Sequence, residues 1–271
     1  EGLADLQACV RFQSEIWGKD FSERVPISIL RVTRRLGGVV AGAFAPDGAL
    51  VGFVFGMTGL VDGEPLHWSD MLAVRQDLRN QGIGRRLKAY QRERCLEAGV
   101  RRMRWTFDPL EARNAYLNLA RLGAVVPEYV QDMYGESDSP LHRGLGTDRM
   151  VPLWELDSPR TLARLEGKEP LPAWVDVSDL PHAFPVDQRG PLPRPGSTDL
   201  GSVGTGSFLV PVPDDILAIR DQDPALASAW REATREALAT PLQEGCRVKE
   251  LVLGVERVSY YVVVPKEEEA P

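Results

Sequence analysis

Between Trp68 and Leu87 the chain gathers residue types that can hold an anion beside an acid–base group. Asp70 lies in a strand-like run that ends at Val74, and Arg79, Gly82, Gly84, Arg85 and Arg86 follow closely. Gly82 and Gly84 lack a Cβ, so the backbone there can turn sharply and admit a ligand. The unsatisfied N–H groups of a helix start make an anion site, and Arg79 and Arg85 add positive charge beside it. The chemistry suggested is the cradling of a pyrophosphate. Two phosphate loops are excluded. A G-x-G-x-x-G loop needs a third glycine where Leu87 stands, and G-x-x-x-x-G-K-[ST] is absent.

The elements that must position these residues follow from periodicity. His67 to Val74 reads as a strand, with Leu72-Ala73-Val74 suited to a buried stretch. By alternation Asp70 shares a face with Leu72 and Val74. Gly82 to Ala98 reads as a helix stopped by Gly99, with Ile83, Leu87 and Tyr90 on its apolar face. Arg85, Arg86, Lys88 and Arg92 fall on the opposite face, and Cys95 reads as having helix-surface neighbours. Upstream are helices over Leu3 to Trp17 and Pro26 to Leu36, then a hairpin of Val39 to Phe44 and Leu50 to Met57; residues 61–65 form the next turn. Downstream, Arg102 to Phe107 alternates as a strand, Glu111 to Leu122 is a helix, and 124–134 and 148–156 are strands.

The run Arg79-Asn80-Gln81-Gly82-Ile83-Gly84 resembles the R/Q-x-x-G-x-G/A motif of the GNAT superfamily of acyl-CoA-dependent N-acyltransferases. The segment Ala112 to Ala124 resembles a second stretch of that family, N-x-x-A-x-x-x-Y-x-x-x-G-F, with Ala115 and Gly123 matching. It departs where the family has Tyr (Leu119), Asn (Ala112, with Asn114 two residues on) and Phe (Ala124). The resemblance implies an α/β (α+β) fold with a central mixed, mostly antiparallel sheet flanked by helices. The family's usual first strand is missing, as a truncated start would leave it; the chain begins at Glu1 without Met.

The same resemblance implies the chemistry. Acetyl-CoA, or another acyl-CoA such as succinyl-CoA, would be the co-substrate. Backbone groups of Leu72, Ala73 and Val74 would pair with its pantetheine arm. The loop Arg79, Asn80, Gln81, Gly82, Ile83, Gly84 and Arg85 would hold the pyrophosphate, with Asn114 near the same arm. Asp70 takes the place of the base that deprotonates the amine, with His67 and Glu64 as rivals; desolvation beside Trp68 and Met71 would raise its pKa as that role needs. The tyrosine that usually protonates the thiolate is replaced by Leu119, so the role is vacant or passes to Tyr116 or Tyr134. Glu15, Trp17 and Tyr134 are candidate linings of the acceptor site. A small-molecule amine, an amino acid first, is the expected acceptor; a CoA-binding sensor and a protein N-acetyltransferase are the alternatives. A homodimer is the prior the family sets.

Composition narrows the classes. The 271 residues are 43% hydrophobic and 26% charged, as in ordinary globular proteins. A net charge of −7 argues against non-specific nucleic-acid binding, and no apolar run approaches a membrane span. Cys9, Cys95 and Cys246 are scattered without metal spacing, as are the three histidines, so no metal is expected and the thiols read as reduced and cytoplasmic. Three segments are expected: 1–156 as the acyl-CoA-binding domain, 157–206 as a Pro/Gly-rich connector without regular elements, and 207–271 as a small extension. The last is read as a strand from Phe208, a helical stretch from Pro213, a helix from Pro224 stopped by Pro241, a hairpin and the charged tail Lys266 to Glu269.

Overall fold

The computed structural model describes residues 2–19, 21, 23–135, 145–167, 179–254 and 257–266. The expected tail beyond Lys266 lies outside them. Two compact units are formed, one by Glu1–Trp105 with Trp154–Ser158, the other by Thr106–Leu153 with Pro159–Pro271.

The first unit contains α1 (Leu3–Trp17), α2 (Ile27–Arg35), β1 (Val39–Phe44), β2 (Leu50–Val61), β3 (Glu64–Val74), α3 (Ile83–Glu97) and β4 (Arg102–Arg104). β1, β2 and β3 pair antiparallel and β4 joins β3 in parallel. Asp62 and Gly63 both hold positive φ, 53° and 82°. This two-residue turn carries the ladder out to Val61 and Glu64, further than the five-residue turn expected. α1 and α2 lay Leu6, Phe12 and Leu30 against Phe53, Phe55, Met71 and Ala73 of β2 and β3. Gln13 locks the following loop by exchanging two hydrogen bonds with the Val25 backbone, 2.7 and 3.2 Å.

The burial of α3 differs from expectation. Its inward stripe is Leu87, Lys88, Gln91 and Cys95, while Tyr90 is exposed. Lys88 therefore does not lie on the outer face, and Cys95 is a core thiol whose burial pushes it up to about 12. The stripe is amphiphilic because polar atoms of β3 satisfy it from the inside.

The second unit contains α4 (Ala112–Tyr116), β5 (Val125–Val130), β6 (Arg149–Glu155, leaving this unit at Trp154), α5 (Pro159–Glu166), β7 (Val186–Asp187), β8 (Arg194–Pro195), β9 (Phe208–Pro213), α6 (Ile216–Gln222), α7 (Pro224–Gln243), β10 (Arg247–Val252) and β11 (Val258–Val264). β6, β5, β10, β11 and β9 are consecutive antiparallel neighbours, so the extension's strands continue outward from β5. Several expectations are corrected here. The helix after Glu111 keeps α geometry only to Tyr116 and widens into a π turn at Leu117–Arg121. Phe107 leaves β4 and makes a lone bridge to Met150. Residues 157–206 do hold a helix, α5, since Pro159 occupies a first turn, where its missing N–H costs nothing. Pro241 does not stop α7; it sits in the last turn, where few backbone bonds remain to be lost. Asp223 caps that helix as expected, accepting from the Leu226 N–H at 3.0 Å.

Candidate functional site

β3 is paired with β4 only at His67 and Trp68. From Ser69 to Val74, among the described residues of this unit, that edge has no ladder partner, while β2 covers the other edge. The outward N–H and C=O groups beside Leu72, Ala73 and Val74 are thus an open strand edge, able to accept an extended amide-bearing chain. Opposite this edge a bulge sets two residues of β3, Ser69 and Asp70, against the single Gly56 of β2. A bulge re-aims side chains locally. Ser69 is buried and Asp70 faces outward, on the face shared with Leu72 and Val74.

Asp70 keeps exposed surface, yet lost hydration pushes its carboxyl above the usual 3.8. The nearby charge of Glu23 adds to the rise, and a hydrogen bond from the Trp68 side chain works against it. Its two rivals are placed otherwise. Glu64 lies at the exposed hairpin tip. His67 is fully buried between Thr58 and Gln91, and burial drives its imidazole down to about 4.

Beyond Val74 the chain runs through a short 3-10 turn, Gln76–Leu78, into the loop. Asn80 and Gly82 adopt positive φ, 64° and 79°, and Gly82 is the left-handed N-cap of α3 with no side-chain cap on the first turn. Arg79 stays at the strand end, its Nε 3.4 Å from the Val74 carbonyl. Gly84 lies over β3; a Cβ there would meet Leu72 and Val74 at 3.8 Å. An uncapped helix start, flanked by arginines and continuous with an open strand edge, fits a pyrophosphate followed by its extended arm. A groove of about 1050 Å³ elsewhere in the unit follows β1 and shares Leu78, Gln81 and Ile83 with this loop, but contains neither Asp70 nor Leu72–Val74. Of the expected acceptor linings in this unit, Glu15 is exposed, and Trp17 is stacked on Phe21 at 5.4 Å.

The other candidates lie in the second unit. Asn114 is exposed and accepts from Asn118 at 3.3 Å. Tyr116 packs on the core with Arg121 over its ring, and Leu119 is wholly buried. Tyr134 is not in a strand. It occupies the turn after β5, with its hydroxyl 3.0 Å from Thr106 Oγ1 and Arg149 over its ring. Around that turn is a charge network the sequence reading missed. Arg231 of α7 binds Asp108 through both carboxylate oxygens at 2.9 and 2.7 Å, and Arg149 approaches the same carboxylate at 3.6 Å. Arg235 binds the buried Asp148 at 2.6 and 2.8 Å, and Asp148 also accepts from the Tyr129 hydroxyl and the Asp132 N–H. Its α7 arginines lie 87 to 123 residues from their carboxylates in sequence, so no local pattern signals them. Among the described residues no group of three His, Cys, Asp or Glu is placed to hold a metal, and no helix is long and apolar enough to cross a membrane.

Residues 7–123 match the family model described as the acetyltransferase (GNAT) family. No curated protein matches the chain. Among solved structures the chain is similar to the ribosomal-protein-S18-alanine N-acetyltransferase from Escherichia coli, at 15% identity over 58% of this chain and 92% of that one, TM-score 0.44. It is also similar to aminoglycoside 6'-acetyltransferase type Ii, at 14% identity over 56% and 90%, TM-score 0.44. A chain of the NatC complex bound to Gag peptide and CoA aligns at 12% identity over 57% and 92%, TM-score 0.45. Residues 7–123, which contain the open strand edge and the uncapped helix start, are thus the stretch of the chain that matches the acetyltransferase (GNAT) family.

Proposed function

We propose that the chain moves an acetyl group from acetyl-CoA to the amine of a small molecule, an amino acid being the first candidate, by direct attack in a ternary complex. The observation that carries this reading is Asp70, a carboxylate of raised pKa on the same strand whose open edge leads to the uncapped start of α3. Acetyl-CoA supplies the acyl group as an activated thioester. Leu72, Ala73 and Val74 offer backbone bonds to its arm, and Arg79 with the turn at Asn80 to Gly84 neutralises its pyrophosphate. N–H groups of the same edge are donors for charge developing on the carbonyl oxygen. As the new C–N bond forms and the C–S bond breaks, Asp70 accepts the amine proton and later returns it to solvent. A raised pKa suits that exchange near neutrality. The departing thiolate has an ordinary pKa of about 8.5, so it leaves without an obligatory acid.

The test is calorimetric binding of CoA, acetyl-CoA and succinyl-CoA, followed by thiol release over a panel of amino acids, polyamines and protein N-terminal peptides. Asp70→Asn should retain CoA affinity and lose at least about a hundredfold in turnover, the range of a general base. An Asp70→Asn variant with full turnover refutes the base role. Release only with the peptides refutes the small-molecule acceptor. Tyr134→Phe and Tyr116→Phe, measured in the same assay, ask whether either hydroxyl protonates the thiolate.

A further inference from the structure

Beneath the bulge of β3 lies a buried chain of polar groups whose hydrogen bonds can run in one direction only. Thr58 Oγ1 donates to the Gly37 carbonyl at 3.2 Å, so it must accept from His67 Nδ1 at 2.9 Å. His67 Nε2 is then bare and accepts from the Gln91 amide at 3.0 Å. The Gln91 carbonyl is left to accept from the Ser69 hydroxyl at 2.8 Å, and Ser69 in turn accepts from Lys88 Nζ at 2.8 Å. His67, Ser69, Lys88 and Gln91 are all buried. Gly56 makes the room. A Cβ on it would lie 2.3 Å from His67 Nε2 and 2.8 Å from Gln91 Nε2.

Lys88 is the unusual member. Its remaining contacts are the Met103 sulfur at 3.9 Å and the Trp105 ring at 3.8 Å. No carboxylate of the described residues forms an ion pair with it. An ammonium so placed is costly, and an apolar side chain of similar length would fill the same space. What the lysine adds is a donor to Ser69, the residue immediately before Asp70. We infer that Lys88, Gln91 and His67 are positioning residues for the acetyl-transfer site, which hold Ser69 inward and thereby fix the bulge register that turns Asp70 outward. A bulge has an alternative one residue away, and a slip of one residue exchanges the two faces. A side chain tied twice to α3, through Gln91 and Lys88, in a chain that His67 and Thr58 anchor back to β3 and β2, removes that alternative. The inference rests on Asp70 being the base.

Ser69→Ala cuts the chain between Gln91 and Lys88 with almost no change of volume. Two readouts test it. The first is the Asp70 carboxyl titration followed by carbon-13 NMR on the whole protein without ligand. Its midpoint should move from above 3.8 toward that value. The second is a double-mutant cycle with Asp70→Asn in the thiol-release assay with acetyl-CoA and the best amine of the panel. Ser69→Ala should lower kcat at least about tenfold, as misplacement of a reacting group does, with KM for acetyl-CoA within about threefold, and should have no further effect in the Asp70→Asn background. Lys88→Met should act in the same direction in both readouts and serves if Ser69→Ala does not fold. An unchanged Asp70 titration, or an equal loss in the Asp70→Asn background, overturns the inference. If Asp70→Asn alone costs nothing, the base assignment has failed, and the titration by itself decides whether Asp70 is positioned.

Discussion

Lys88 makes a quantitative prediction that needs no substrate. Burial lowers its ammonium from 10.5 to about 7, and the groups that face it are Ser69 and His67 of β3, Gln91 and Cys95 of α3, Met103 of β4 and Trp105. None supplies a compensating negative charge at neutral pH, because His67 is neutral and Cys95 is held as the thiol. In the unfolded chain the lysine keeps its proton up to the ordinary value. Between these two pKa values the unfolded state binds more protons than the folded state, so stability must rise with pH. The slope approaches about 1.4 kcal/mol per pH unit. From pH 6.5 to 9.5 this one group changes stability by about 3 kcal/mol. Lys88→Met removes the titration and keeps the side-chain length. Urea unfolding of both proteins at several pH values isolates the lysine, since titrating groups remote from it cancel in the difference and only its neighbours His67 and Cys95 are coupled to it. The stability of the wild type relative to Lys88→Met should climb by about 3 kcal/mol across that range. A difference that stays flat would show that Lys88 is solvated or paired with a negative charge, and the picture of a bare buried ammonium would be wrong.

Two glycines make contrasting predictions. At Gly82 nothing lies within 4 Å of a Cβ, but φ is +79°, so Gly82→Val strains the backbone by about 1–3 kcal/mol and should abolish tight CoA binding while the chain still unfolds cooperatively; calorimetry that finds wild-type affinity would remove the pyrophosphate assignment. At Gly56 the conformation is ordinary but a Cβ would sit 2.6 Å from the Trp68 carbonyl, so Gly56→Ala should cost about 1–3 kcal/mol in urea unfolding and should carry the same Asp70 titration shift as Ser69→Ala.

What could be read from sequence and what could not divide along the reach of the interactions. The turn at Arg79 to Gly84 was legible as structure because its pattern is local: glycines at fixed spacing, a strand before and a helix after. The outward face of Asp70 was legible too, since strand alternation carries through the bulge. The inner face of α3 was not. The hydrophobic residues Ile83, Leu87 and Tyr90 suggested one stripe, but the buried one includes Lys88 and Gln91. Their partners, Ser69 and His67, lie 19 to 24 residues away in sequence. A polar residue whose partner is remote looks solvent-facing until the partner is placed. The same holds for Arg231 and Asp108, separated by 123 residues. Proline misled in the other direction, since counting prolines over 157–206 ignored that Pro159 stands where a helix accepts one.

These remote pairs bear on the C-terminal extension. β5 takes β10 as a neighbour, and the core around Phe107, Leu119 and Met150 also contains Trp230, Val248 and Tyr261. The Tyr261 hydroxyl donates to the Pro109 carbonyl at 2.6 Å, and α7 supplies the arginines of Asp108 and Asp148. Removing residues 158–271 would therefore leave Asp108 and Asp148 without those arginines. Losing one partner of a buried pair costs about 3–5 kcal/mol, so two such losses rival the whole stability of an ordinary domain, about 5–15 kcal/mol. Loss of the shared apolar core comes on top. Within this unit, then, residues 106–153 depend on the extension to fold, and a chain cut after Asp157 should show fast amide exchange throughout 106–153 when followed by mass spectrometry. Protection there equal to that of the full chain would mean that the segment carries its own core, and that the extension merely rests against it.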